Sequence, residues 1–506
     1  MLNIKEKIKN LTQPVDLRKG KEWKALLLFS LPIIFSYLLQ QVYTISDAAI
    51  CGQTLSADEV AGVNDVSPLI FIFLQFAFGC TAGFSVITSN RVGEGDEAGV
   101  RKSFAAQIVL SLVITVILTA VSLLCLKPLL SWINVTEDNA LVFEAAYSYC
   151  FVIFSGIIAQ MFYNFICSVL RSVGDSVTPL VFLFISTVLN VGLDLLFIKV
   201  FRWGVIGAAS ATVAAQALST VACFIYTFVK YKSLRLKAQD FKLSIKELNR
   251  HILQGVPLGL QFSVLAVGII VMQGELVKFD LSPEGVMVSG NPAQNGYGAA
   301  CKLGGLLMSP MSALGAGVVS FTAQNYGAGE YKRIRKGILQ ATLIVLTMYV
   351  VFAGVGLLLT INGAYQYIFL SADKVTAQSV SFGNRYLYVA LSFYCLLGLI
   401  FVWRSGAQGI EKPFFTLMTG TVELVARIVV CIFLPAAING GAINCEASAA
   451  AFIALCFADP IAWIGGVAVL AYPFVRYMVL MKYKAPKPAS APQPESQQTD
   501  SQTTDK

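Results

Sequence analysis

AGFSVITSNRVGEGDEAGVRK at residues 82–102 and AGVVSFTAQNYGAGEYKRIRK at 316–336 lie over one another at an offset of 234 residues. Ala82/Ala316, Gly83/Gly317, Thr88/Thr322, Gly93/Gly327, Gly95/Gly329, Arg101/Arg335 and Lys102/Lys336 are identical, seven of 21 positions without a gap. Such self-similarity predicts a duplicated unit. The offset persists to Pro179 and Pro413, which follow the polar stretches RSVGDS at 171–176 and RSGAQGIEK at 404–412. Pro32 pairs with Pro257 at an offset of 225, and a longer loop around 278–296 absorbs the nine-residue difference.

What surrounds the repeat is apolar. Of 506 residues only 13% are charged and 56% are hydrophobic, too little charge to cover a soluble protein of this size. Residues 66–90, 103–126, 145–170, 203–229 and 337–372 contain no Asp, Glu, Lys or Arg, and each is long enough to span a bilayer. The runs predict helices near 24–47, 61–90, 103–126, 141–169, 178–198, 203–229, 252–276, 296–323, 337–361, 383–403, 414–437 and 448–478. The expected fold is an all-α integral membrane protein with twelve transmembrane helices in two six-helix bundles. Six is even, so both bundles run the same way, related by a pseudo-two-fold axis along the membrane normal.

Charge orients the chain. With the N-terminus inside, inside segments hold 29 of the 37 Lys and Arg residues, outside loops hold five, and Lys302, Arg385 and Arg427 remain within spans. This is the positive-inside pattern, and it predicts a multi-pass cell-membrane protein with both termini cytoplasmic. The net charge of +8 is thus an orientation signal and no nucleic-acid partner is expected. The expected organisation is a cytoplasmic segment 1–23, a lobe 24–229, a basic cytoplasmic linker 230–251, a second lobe 252–478 and a disordered cytoplasmic tail 479–506. Membrane lipids are the expected surroundings and a monomer the expected state.

Several function classes drop out. The eleven cysteines form no CxxC pair and read as small buried hydrophobes. The one histidine, His251, follows Arg250 and reads as a solvated residue of the basic loop, so no zinc or haem site, and no other permanent metal or cofactor, is expected. Catalytic constellations, ATP-binding motifs and a channel filter are likewise not visible. A secondary transporter driven by an ion gradient, rather than an enzyme, is the expectation. A carrier of a lipid-linked substrate is the alternative.

LPIIFSYLLQQVYTISDAAICG (31–52), LRSVGDSVTP (170–179), NVGLD (190–194), AQNYGAGEYKRIRKG (323–337) and ELVAR (423–427) resemble the multidrug and toxic compound extrusion (MATE) transporters over roughly residues 20–480. The resemblance implies two six-helix bundles that alternate between inward- and outward-open V shapes. It also implies export of amphipathic, often cationic, compounds in exchange for H⁺ or Na⁺. The same superfamily contains flippases for lipid-linked saccharides or precursors, which keeps that alternative open.

Ionisable groups inside a membrane are costly and each warrants a functional hypothesis. Asp47 on the first helix and Asp194 on the fifth fall toward the outer face at similar depth, and Asn190 sits one turn from Asp194. Together they form a candidate H⁺ or Na⁺ site, with Asn190 and Thr212 adding neutral oxygens. The resemblance adds Tyr149 and Asn164 on the fourth helix. In the second lobe Glu423 and Arg427 are spaced for either an intrahelical ion pair or a cavity anion tuned by its arginine. Asp459, before Pro460, is either a cation contact or satisfied by backbone freed at the proline. With Gln261, Met272 and Met308 these make up a candidate substrate cavity, to which Tyr37, Tyr43, Phe262 and Met311 add aromatic and thioether surface. Lys302 and Glu275 are expected to pair or snorkel. Asp47 maps onto Met272 or Gln273, so ion coupling is expected in the first lobe alone. Pro32 and Pro257 disturb their helices at corresponding points, either as static packing kinks or as candidate hinges, and the resemblance implies a bending first helix with Pro32 as its hinge.

Overall fold

The computed structural model describes residues 13–133, 135–371 and 374–481. Lys5, Lys7, Lys9 and all but the first three residues of the expected tail lie outside them. The spanning helices are α1 (Glu22–Thr54), α2 (Ala57–Glu94), α3 (Glu97–Leu124), α4 (Ala140–Ser155 and Ile157–Ser172), α5 (Val177–Asp194), α6 (Gly204–Lys230), α7 (Ile245–Val277), α8 (Pro292–Gly327), α9 (Tyr331–Leu359), α10 (Ala377–Gly409), α11 (Pro413–Asn439) and α12 (Ala449–Cys456 and Ala458–Pro473). Eleven are individually long and apolar enough to cross a membrane, counting α12 whole, and the two segments of α4, bent by 45°, make the twelfth.

The two breaks have local causes. In α4 the segments meet at Gly156, where a Cβ would lie 2.3 Å from Val213 Cγ2 of α6, so only glycine lets the helices close there. In α12 the break falls at Phe457, three residues before Pro460, whose missing N–H removes a helical bond. Between α2 and α3, Gly95 takes a left-handed conformation (φ 74°) and the Asp96 side chain caps α3 by accepting from Gly99 N–H at 2.8 Å, the helix stop and start that glycine and aspartate favour.

The duplication is visible in the contacts. A Cβ built on Gly93 would lie 2.0 Å from the Gln324 carbonyl oxygen, and one built on Gly327 would lie 2.0 Å from that of Asn90. Asn90 and Gln324 are themselves 234 residues apart, so this is one α2–α8 contact made twice across the pseudo-two-fold. Similarly, Gly83 sits against Gly255 of α7 and Gly317 against Ser30 of α1, and 30 and 255 differ by the 225 that relates Pro32 to Pro257. Each lobe therefore lends its first helix to the other's second.

These contacts close one end, the end carrying the basic segments. Gln324 Nε2 donates to the Ser172 carbonyl at 2.8 Å. Glu411 accepts from Arg250 at 3.2 and 2.5 Å and from Asn90 Nδ2. The segment before α1 lies across both lobes: Val15 N–H donates to Gly174 O at 2.9 Å, while the Arg333 guanidinium donates to the carbonyls of Leu17, Lys19 and Gly20. Among the described residues, the hydrogen bond between lobes farthest from this end joins Ser263 Oγ to Ile72 O at 3.0 Å. Beyond that level no hydrogen bond or ion pair among the described residues ties the lobes, and this untied end is the open end.

Two expectations about the basic end are corrected, the start of α7 at 252 and the exposure of His251. The stretch 230–250 is folded: it forms short turns at Lys232–Leu234 and Ala238–Phe241 and already enters α7 at Ile245. His251 is consequently not a solvated loop residue. It is fully buried in α7, with Nε2 2.8 Å from Ser103 Oγ of α3 and Nδ1 2.8 Å from Glu247 O. A helix start seven residues earlier than expected turned its side chain inward across the lobe interface.

Candidate functional site

The first-lobe acids come together near the open end. α1 runs seven residues past Asp47 to Thr54, so Asp47 is held on a continuing helix and does not cap its end. Asp194 is the last residue of α5 before a π-helical turn, Leu195–Val200, and is fully buried. The two carboxyl groups face each other within hydrogen-bonding reach. Neither Asp194 oxygen meets a donor among the described residues, and one Asp47 oxygen is also buried without one. Carboxylates only accept hydrogen bonds, so their mutual bond closes only when one of them holds a proton.

The surrounding oxygens follow the expectation in part. Thr212 Oγ1 lies 3.4 Å from Tyr43 Oη and accepts from Asn190 Nδ2 at 3.4 Å, while the Asn190 amide oxygen is buried and unpartnered. Tyr149 belongs to this group, packing with Cys51, Ile198 and Ala208 in the electrostatic reach of Asp47. Asn164 does not: it lies beyond the Gly156 break, on the second segment of α4, and lines the central cavity.

That cavity, about 400 Å³, sits between the lobes above the closed end. Tyr37, Tyr43, Phe262 and Met308 line it as expected, together with amides such as Gln160 and Gln216. The other residues assigned to it from sequence do not line it. Gln261, Met272 and Met311 are buried inside the second lobe, as are Glu423 and Arg427. Glu423 and Arg427 form no intrahelical ion pair. Arg427 instead turns to Asp459 of α12, with Nε at 2.9 Å and Nη2 at 2.8 Å from Oδ1, and Tyr386 Oη donates to Asp459 Oδ2 at 3.2 Å. Asp459 is thus satisfied by a cation of its own lobe and not by the backbone freed at Pro460. The reason is geometric: α11 and α12 pack face to face, and a short Asp on the neighbouring helix meets the guanidinium fork in two bonds. Glu275 likewise pairs with Lys278, at 2.7 Å, and not with Lys302. Pro32 and Pro257 are both passed without interruption of their helices.

Sequence reasoning missed Arg171 and Arg404. Both counted as loop charges marking the inside face, yet both line the central space between the lobes. The available signal was the repeat: at an offset of 233, Arg171–Ser172 fall on Arg404–Ser405.

A family model described as MatE matches residues 32–196 and 288–433. The chain belongs to the MatE family. It is 29% identical over 389 residues to "Probable multidrug resistance protein YpnP" of Bacillus subtilis (strain 168), covering 76% of this chain and 82% of that one. It is 23% identical over 423 residues to a protein of Shewanella oneidensis named "FAD transporter", covering 82% and 89%. Among solved structures, "Crystal structure of MATE in complex with MaL6" aligns with a TM-score of 0.79 at 19% identity, over 93% of this MatE chain and all of that one. "Outward-facing conformation of a multidrug resistance MATE family transporter of the MOP superfamily" aligns at 0.78 and 20% identity, over 94% and 100%. The MatE fold is therefore that of a secondary transporter of the membrane, and not of an enzyme.

Proposed function

We propose that this MatE protein is a cation-coupled antiporter exporting amphipathic small molecules, with Asp47 and Asp194 as the coupling pair. The observation that carries this is the contact between two carboxyl groups, one of them fully buried, that no cation among the described residues neutralises. A pair able to close only around a proton, or around Na⁺ held with the oxygens of Asn190 and Thr212, binds an ion in one state and gives it up in another. Names of relatives such as the B. subtilis multidrug resistance protein support drugs as the exported class. The positive-inside distribution supports cytoplasmic termini, in which case the closed end is cytoplasmic and the state described is outward-open. Pro32 serves as the hinge of α1: it lies between the half packed in the other lobe through Leu26 and Phe29 and the half that carries Tyr43 and Asp47.

The test is dye efflux measured in everted vesicles under a pH gradient and, separately, a Na⁺ gradient. Export should respond to one gradient, and Asp47→Asn or Asp194→Asn should each remove that response, by roughly a hundredfold for loss of an essential charge, while the protein still folds. Full gradient-driven export by both variants overturns the coupling site.

A further inference from the structure

The space between the lobes is walled by one arginine from each. Arg171 is in the last turn of α4 and Arg404 near the end of α10, helices that correspond across the pseudo-two-fold. Both line the same small pocket at the lobe interface, with Tyr37, Phe78, Phe262 and Ser312. Arg171 also lines the larger cavity, where no other lining residue is ionised at neutral pH. An aromatic amine entering there would meet a guanidinium and no carboxylate.

Neither guanidinium is neutralised by contact. Among the described residues Arg404 forms no ion pair or side-chain hydrogen bond. It is 9% exposed and lies over the rings of Phe262 and Phe401, 5.9 and 5.6 Å from their centroids. Glu423 acts on it through space without touching it, and one Glu423 oxygen is itself buried and unpartnered. Arg171 likewise has no ion pair, and its Nε is buried without an acceptor. Arginine donors withdrawn from water and left unbonded are costly. Their planar fork matches the oxygens of a carboxylate or phosphate, and an aromatic floor suits a flat apolar body.

We propose that Arg171 and Arg404 jointly bind the anionic group, carboxylate or phosphate, of an amphipathic aromatic substrate. This deepens the exporter reading above and rests on it. Because the two arginines belong to different lobes, the bound anion bridges them at the closed end, and separation of the lobes there would split its site.

Fluorescein and rhodamine 123 share a xanthene core and differ in the sign of their charge. Binding of each to the purified full-length protein in detergent is read by fluorescence anisotropy at fixed pH, with no gradient. Fluorescein should bind more tightly, and Arg171→Gln and Arg404→Gln should each weaken it about tenfold while leaving rhodamine 123 unchanged or tighter. Arg171→Gln is the safer variant, because no acid depends on Arg171, and thermal unfolding monitors both. If rhodamine 123 is preferred, or Arg171→Gln leaves the preference intact in a folded protein, the proposal is overturned. In a second arm, an NBD-labelled phosphatidic acid is followed across proteoliposomes. Translocation blocked by Arg171→Gln, with weak fluorescein binding, assigns the anion to a lipid headgroup; strong fluorescein binding without translocation assigns it to a free solute. Fluorescein bound through the arginines but never exported under any gradient would sink the exporter reading and leave the site standing.

Discussion

The two lobes share a backbone plan and treat buried charge in opposite ways. Near the open end of the first lobe Asp47 faces Asp194, with no basic group among the described residues in contact with either. At the corresponding positions the second lobe carries Met272 and Arg427, and Glu423 stands where Asn190 does. There Arg427 is bound by Asp459 and Tyr386, and Met272 accepts from Tyr297 Oη at 3.4 Å. At these positions the second lobe gives its arginine an acid of its own, and the first leaves two carboxyl groups facing each other without a cation among the described residues. A scaffold needs the former arrangement. An ion binder needs the latter, because only an incomplete site has room for a visitor.

The sharpest way to break this contrast is to remove one charge from each side. Arg427→Met should cost about 3–5 kcal/mol by leaving Asp459 buried without its partner, seen as a large fall in thermal unfolding temperature in detergent. Arg427→Met with Asp459→Leu should recover most of it. If the single variant is as stable as the parent, the second-lobe pair is not the structural counterweight described.

Where the lobes are alike, their variants should behave alike. Gly93→Ala and Gly327→Ala each push a Cβ to 2.0 Å from a carbonyl oxygen of the other lobe, an overpacking worth about 1–3 kcal/mol. Both should favour separation at the basic end, widening spin-label distances across it by similar amounts. A response from one alone would show that the symmetry of the contact is not matched in energy.

The loops after α4 and α10 differ again. Asp175 is buried and accepts from Thr178 N–H at 2.9 Å, Tyr231 Oη at 2.6 Å and Lys230 Nζ at 2.9 Å, whereas its counterpart Gln408 lines the pocket between the lobes. Burial alone would raise the Asp175 carboxyl, but the hydrogen bonds from Thr178, Tyr231 and Lys230 outweigh it and hold it below the usual carboxylate range. A depressed folded-state value means stabilisation that is complete above about pH 4, the unfolded value, and lost as pH falls further. Asp175→Asn should therefore cost about 1–3 kcal/mol at neutral pH, a difference that narrows below about pH 4. Gln408→Leu should cost little. Smallest of all, Asp194→Asn should shift stability by less than about 0.5 kcal/mol or raise it slightly, since it removes no partnered charge. A strongly destabilised Asp194→Asn would mean a cation is bound there structurally.

The fold was legible because it rests on counts and periods: runs without charge, a basic bias on alternate loops, and an offset that survived in 82–102 and 316–336. The first-lobe acids were legible for a related reason, since Asp47 and Asp194 are conspicuous in apolar helices. Partner choice was not. The spacing of Glu423 and Arg427 permits an intrahelical pair, and only the packing of α12 against α11 shows that Asp459 is the better acceptor. His251 and Arg404 looked like face charges because a difference of a few residues in a helix end decides whether a side chain meets water or the opposite lobe.

The reciprocal glycine contact carries a history. Gly93 over Gln324 and Gly327 over Asn90 form a surface that complements itself, as in isologous dimers. A six-helix ancestor with one such glycine would have met its own copy twice over and assembled in parallel, needing no second gene. Within one chain the copies are free to differ, and the first carries Asp47 and Asp194 where the second carries Met272 and Arg427. The two halves, expressed as separate polypeptides, should still find each other through that seam.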